Sequence, residues 1–183
     1  MLSKALRRSC GGSLEAIDLD RTISCAFTGH RENKLPWRSD EGAAECLKLK
    51  QQIFDAVEAV YRAGIRHYIC GMATGCDMYF CDAVIKLRSE HEDISLEAAI
   101  PWQQQSAGWS KELVSRYNRL VEDCDFYTLV QQEYTPDCFT RRNRYMVDNA
   151  GVLIAAYSGM QGGTMSTILY AMRQGVEIIE IPI

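Results

Sequence analysis

The sequence predicts a doubly wound parallel α/β sheet of about six strands in a single domain, and three observations carry that expectation. Short β-rich runs alternate with longer stretches of helical periodicity from residue 22 to the end of the chain. One run, "GVLIAAY" at 151–157, is apolar throughout, as a strand buried on both faces should be. The chain has 183 residues, of which 47% are hydrophobic, enough for a sizeable core in one domain.

The elements follow in order. "TISCAF" (22–27) reads as the first strand. Residues 41–62 read as a long helix, with Leu47, Phe54, Val57 and Tyr61 at roughly helical spacing and Gly64 as its stop. "RHYIC" (66–70) is the second strand, "DMYFCDAVIKLRSEH" the second helix, and "SLEAAI" (95–100) the third strand, ended by Pro101. "SKELVSRYNRLVEDC" (110–124) is the third helix and "FYTLVQ" (126–131) the fourth strand. Thr135-Pro136 predicts a helix start, with Thr as N-cap and Pro at the first helical position, and that helix runs to about Asn149. After the fifth strand, 151–157, come the helix "TMSTILYAMRQ" and the last strand "VEIIEI" (176–181). Residues 1–21 read as a loosely attached extension and 22–183 as the domain. The extension carries Lys4, Arg7 and Arg8 but no continuous apolar stretch of the kind a signal peptide needs.

Composition narrows the function. Net charge is −4 with His neutral, which argues against a broad nucleic-acid surface but leaves room for a small basic site. No apolar run reaches the length of a membrane span. The eight cysteines form no C-x-x-C pair and no zinc-type group, so they read as reduced, cytoplasmic core thiols with no metal implied.

In this architecture ligands sit beyond the carboxyl ends of the strands, near the point where strand order reverses. The residues after each strand therefore decide the matter. "TGHREN" offers Thr28 and Gly29 in a tight turn, then His30 and Arg31, whose guanidinium suits phosphate or carboxylate. In "GMATGCD", Gly71 and Gly75 flank small residues including Ala73. Asp77 there either caps the next helix, accepts from a ribose hydroxyl or orders a neighbouring loop. "PWQQQSAGW" offers Trp102 and Trp109, which either stack on a base or pack in the core. After the fourth strand, Tyr134 is placed to cover a pocket. Arg141, Arg142, Asn143 and Arg144 follow inside a predicted helix, where only one or two can face inward. Asn143, a poor helix former, is the better candidate there, and Arg144 with Asp148 fits an i,i+4 surface pair. "GMQGGT" places Gly162, Gly163 and Thr164 at a helix start, where free amides, a hydroxyl and the positive end of the dipole make an anion site. It is neither a Walker A loop nor G-x-G-x-x-G.

"FTGHR", "GMATGCD", "IPW" followed by Q and W, "RRNRYMVD" and "AYSGMQGGT" occur in the order seen in the YpsA-like proteins of the SLOG superfamily, and the chain resembles them over roughly residues 23–175. The resemblance implies a Rossmann-like fold and a nucleotide or ADP-ribose-like ligand at the strand ends. The superfamily includes the DNA-processing protein DprA and the Lonely Guy phosphoribohydrolases. Carried over, the pocket would be Thr28, Gly29, His30, Arg31, Gly71, Ala73, Gly75, Asp77, Arg142, Asn143, Gly162, Gly163 and Thr164. The Lonely Guy pattern PGGxGTxxE departs here, because Met165, Ser166 and Thr167 follow Thr164 and no acidic residue occupies that turn.

The leading expectation is a module that binds or senses such a ligand, with no cofactor firmly implied. The alternative is a hydrolase of an N-glycosidic or phosphate bond, for which His30 and Asp77 are the only general acid or base at hand. A single-stranded DNA binder resembling DprA comes third. No membrane partner is expected, and the oligomeric state is open, a homo-oligomer included.

Overall fold

The structure is a computed structural model that describes residues 20–183 and the strands Ala5–Arg8 (β1) and Leu14–Ile17 (β2). Six further strands follow: Ser24–Gly29 (β3), His67–Cys70 (β4), Ser95–Ile100 (β5), Phe126–Leu129 (β6), Val152–Tyr157 (β7) and Glu177–Pro182 (β8). Between them lie the helices Ala44–Arg62 (α1), Cys76–Arg88 (α2), Lys111–Glu122 (α3), Cys138–Asp148 (α4) and Gly163–Arg173 (α5).

All six predicted strands are present and parallel, in the order β6-β5-β4-β3-β7-β8. The chain winds from β3 outward to β6, then returns to place β7 on the other side of β3. The reversal of strand order therefore falls between β3 and β7. The extension adds what the sequence reading did not foresee. β1 and β2 form an antiparallel pair, and β1 joins the edge of β6 with Leu6 opposite Tyr127, which makes an eight-stranded sheet. Lys4 lies outside the described residues.

Helix α1 packs on α2 and α2 on α3, while α4 packs on α5. Two apolar layers result. Cys25 and Phe27 of β3 belong to the one under α1–α3, and Ala26 to the one under α4 and α5, as the two-residue alternation of a strand requires. Helix α1 buries Cys46, Leu49, Ile53, Val57 and Val60, and Leu47 is exposed. The core stripe is thus rotated by about one residue from the predicted Leu47–Phe54–Val57–Tyr61 set. Each fully buried Leu, Ile or Val contributes about 1.5–3 kcal/mol. The helix stops at Gly64 (φ 108°), where the N–H of Ile65 donates back to Val60 at 3.0 Å.

Helix α4 begins later than predicted, at Cys138. Thr135 and Pro136 form a turn before it, in which the Thr135 hydroxyl donates to Asp137 at 2.6 Å instead of capping the helix. The rotation of α4 is set by a buried polar chain. The Tyr145 hydroxyl donates to Glu97 at 2.7 Å, and the other Glu97 oxygen lies 3.0 Å from His67 Nε2. Arg142 sits three residues before Tyr145 and so shares its inward face.

Candidate functional site

A cleft of about 350 Å³ opens over the carboxyl ends of β3 and β7, at the reversal of strand order. Of the residues expected there, Thr28, Gly29, His30, Arg31, Ala73, Asp77, Arg142, Asn143, Gly162, Gly163 and Thr164 line it together. Gly71 and Gly75 do not. They stand behind the lining and hold it in place.

The first segment ends β3. Thr28 and Gly29 are still strand, paired with Ala155 and Ala156 of β7, not the tight turn expected of them. A side chain at Gly29 would begin 2.5 Å from Cys76 Cβ, so glycine there lets the first turn of α2 close on the sheet. His30 is buried, and its Nε2 receives the Ser158 N–H at 3.3 Å and lies 2.6 Å from the Ser158 hydroxyl. A backbone N–H can only donate, so Nε2 is the acceptor and the proton sits on Nδ1 of a neutral ring. Burial, and secondly the Lys34 charge, push the pKa of His30 down. Arg31 is exposed and lies over the Phe139 ring at 4.8 Å.

The second segment, 71–77, is largely buried, and side chains take up its Gly71 carbonyl and Ala73 N–H. The Asp77 carboxylate accepts from the Ala73 N–H at 3.0 Å. Asp77 therefore orders its own loop, and no side chain caps α2. Burial raises its pKa, against the opposing charge of Arg142, the Ala73 hydrogen bond and the charge of Arg31. The carbonyl of Gly71 accepts from Arg142 and, at 3.3 Å, from Gln105, which also donates to the Met72 carbonyl at 2.6 Å. Gly75 has φ 82°, and a side chain on it would begin 2.5 Å from the Glu32 nitrogen and 2.9 Å from the His30 carbonyl. That contact welds the second segment to the first.

The basic run on α4 separates by direction. Arg142 is buried, and desolvation weighs against its charge, so its pKa is lowered. Arg141 faces solvent and pairs with Asp137 at 2.6 Å. Asn143 accepts from Arg142 Nε at 2.8 Å and donates to the Thr167 hydroxyl at 2.8 Å, so it ties α4 to α5. Arg144 does not pair with Asp148. It lies over Tyr170 at 5.4 Å, and Asp148 accepts from the Tyr170 hydroxyl at 2.8 Å.

The last segment behaves differently. The Thr164 hydroxyl donates to the Gly29 carbonyl at 3.1 Å, joining α5 to β3. Among the described residues no group accepts from the N–H of Gly163, Thr164 or Met165; the first amide of this turn to find a carbonyl is that of Ser166, bonded to Gly162 at 3.0 Å. Across the cleft the Lys34 ammonium lies 2.8 Å from where a side chain at Gly162 would begin. Three cations (Arg31, Lys34 and Arg142) face one carboxylate, Asp77, among the lining residues.

The sequence reading missed Phe27, Asn33, Lys34, Phe139 and Met146 in this lining. Lys34 adjoins the "TGHREN" motif, and its charge was the available signal. Phe139 and Met146 gave none, because apolar residues in an amphipathic helix read as core. Trp102, Trp109 and Tyr134 lie outside the lining. Trp102 packs edge-on to Tyr134 at 5.4 Å, and Trp109 edge-on to Tyr117 at 5.5 Å. The seven described cysteines are free and buried, and no group of three or more potential metal ligands occurs among the described residues. No helix among the described residues is long and apolar enough to cross a membrane.

A parallel sheet whose order reverses under a glycine-edged cleft defines a Rossmann-like α/β domain, and solved structures share it. DNA processing protein A (DprA) from Streptococcus pneumoniae superposes with a TM-score of 0.62 at 16% identity, covering 88% of this chain and 51% of that one. DprA from Helicobacter pylori, whose structure is described in terms of its single-stranded DNA binding mode, superposes with a TM-score of 0.60 at 14% identity, covering 88% and 66%. This chain thus spans about half to two thirds of those proteins, and the likeness is one of fold. The sequence goes further. The family model described as the YspA SLOG family matches residues 25–181, and the chain belongs to that YpsA family. Relatives include the SPbeta prophage-derived protein YoqJ of Bacillus subtilis, 29% identical over 140 residues (69% of this chain, 82% of YoqJ). Another is the UPF0398 protein SH1465 of Staphylococcus haemolyticus, 25% identical over 139 residues (75% and 74%).

Proposed function

We propose that the chain binds a nucleotide or nucleotide-derived ligand, such as an ADP-ribose-like molecule, in the cleft between β3 and β7. One observation carries this reading: Gly163 and Thr164, whose amides are open at the positive end of α5, line the same cleft as Arg31 and Lys34. Phosphate is the anion this arrangement fits, with backbone donors, a helix dipole and two cations lining one cleft. Asn143, Thr28 and the Phe139 ring supply polar and apolar contact for the rest of the ligand, in a space suited to one nucleotide. Binding or sensing is favoured over hydrolysis because the acceptor nitrogen of His30 and one carboxylate oxygen of Asp77 are already engaged in holding loops. The buried free thiols support a reducing compartment such as the cytoplasm.

The test is a thermal-shift and calorimetric panel of nucleoside monophosphates, NAD and ADP-ribose on the wild type and on Gly163→Val. Apart from its chain neighbours and its own helix backbone, no atom lies within 4 Å of a Cβ built at Gly163, so the fold should accommodate valine, whose methyl groups should crowd the amides. Ligand affinity should fall at least about tenfold, a loss of roughly 1.4 kcal/mol. An undiminished thermal shift in Gly163→Val would reject this placement of the ligand. Mass spectrometry of the same incubations addresses the hydrolase alternative, which requires product to accumulate.

A further inference from the structure

A second groove, about 500 Å³ in volume, runs between α4 and α5 and shares Phe139, Asn143 and Gly163 with the first cleft. We propose that it receives a second nucleotide unit of a ligand whose first phosphate sits on the α5 amides, a proposal that rests on the reading above.

The saddle between the two hollows is rigid. Asn143 donates to Thr167, and Thr167 donates to the Gly163 carbonyl at 2.8 Å, so one hydrogen-bonded chain crosses it. Beyond the saddle, Tyr170 is held by its hydroxyl's bond to Asp148, with the Arg144 guanidinium 5.4 Å from its ring centroid. Arg173, one helical turn further along α5, lines the same groove. Arg144 and Arg173 are both exposed, and among the described residues neither has a carboxylate within ion-pair distance. No acidic side chain lines the groove.

The chemistry is that of a base–phosphate unit. An aromatic ring with an arginine over it offers a stacking platform for a base, and two unpaired guanidiniums offer charge to a second phosphate. Tyr170, Arg144 and Arg173 do not line the first cleft, so a mononucleotide seated there leaves them unused. The ligand that uses both hollows has two nucleotide units joined through phosphate, as a free dinucleotide or at the end of a single strand.

Isothermal titration of AMP, the dinucleotide pApA and an oligo-dA octamer on the wild type and on the double variant Arg144→Ala/Arg173→Ala tests this. The wild type should bind pApA about tenfold or more tighter than AMP. The double variant should lose that gain and keep its AMP affinity within about twofold. A further gain with the octamer identifies a strand, and its absence a closed two-unit ligand. The inference is overturned if pApA binds no tighter than AMP, or if the double variant keeps the gain. Failure of AMP and pApA alike to bind the wild type would bring down the nucleotide reading itself, and this one with it.

Discussion

Two glycine-containing turns stand at equivalent places in this molecule, one after β4 and one after β7, and they do opposite things with their backbone. In the first, residues 71–77, the Gly71 carbonyl and Ala73 N–H are turned inward to side chains. The Gly71 carbonyl accepts from Arg142 and Gln105, the Ala73 N–H donates to Asp77, and Gly75 presses on the backbone of residues 30–32. In the second, three successive amides at the start of α5 are left without an acceptor among the described residues, and nothing crowds Gly163. Both turns are small-residue loops before a helix. The first builds the wall of the cleft, and the second presents donors into it. Glycine in a loop thus reports a close approach of backbone to something. Whether that something is the protein or a ligand depends on which atoms lie opposite.

The comparison breaks most visibly at Gly75. Gly75→Ala should cost about 3–5 kcal/mol, because a side chain would occupy a left-handed φ and collide with backbone atoms that have no rotamer to yield. Gly163→Val should stay within about 0.5 kcal/mol of wild type. Urea denaturation of the two variants measures both, and equal losses would erase the distinction drawn between the turns. The next largest effect is at Asp77. Asp77→Ala leaves the buried Ala73 N–H without its acceptor and should cost about 2–3 kcal/mol. Asp77→Asn keeps an acceptor oxygen and should cost less; a reversed order would show that loop support is not what Asp77 does.

The smallest effect is a pH dependence at His30. Its folded pKa is lowered from the ordinary 6.5, so the unfolded chain takes up a proton that the folded one refuses. Stability should therefore fall as pH drops below about 6.5 toward the folded pKa, and be fully present above 6.5. Subtracting the stability–pH curve of His30→Gln isolates this contribution. A flat difference curve between pH 7 and about 5 would remove the neutral, Ser158-bonded ring from the account.

Much of this fold is legible in the sequence. "GVLIAAY" is apolar at every position and became the strand beside the reversal point. Gly64 marked a helix stop because backbone chemistry at helix ends is local: it turns left-handed there. The α1 stripe was misplaced by about one residue, since both Leu47 and Leu49 fit a helical period and only the neighbour across the interface decides between them. Thr135 is of a type that suits a cap, but its hydroxyl donates to Asp137.

Local periodicity and end chemistry are written in runs of ten to twenty residues, so the six parallel strands, the five helices between them, their order along the chain and the glycine turn before α5 were legible in the chain alone. Direction is not written there. That Arg142 turns inward while Arg141 turns out, that Lys34 reaches across to Gly162, and that β1 joins the edge of β6 depend on contacts between segments tens to more than a hundred residues apart. Only the closed sheet brings those segments together, and so only the tertiary structure assigns one glycine turn to the wall and the other to the cleft.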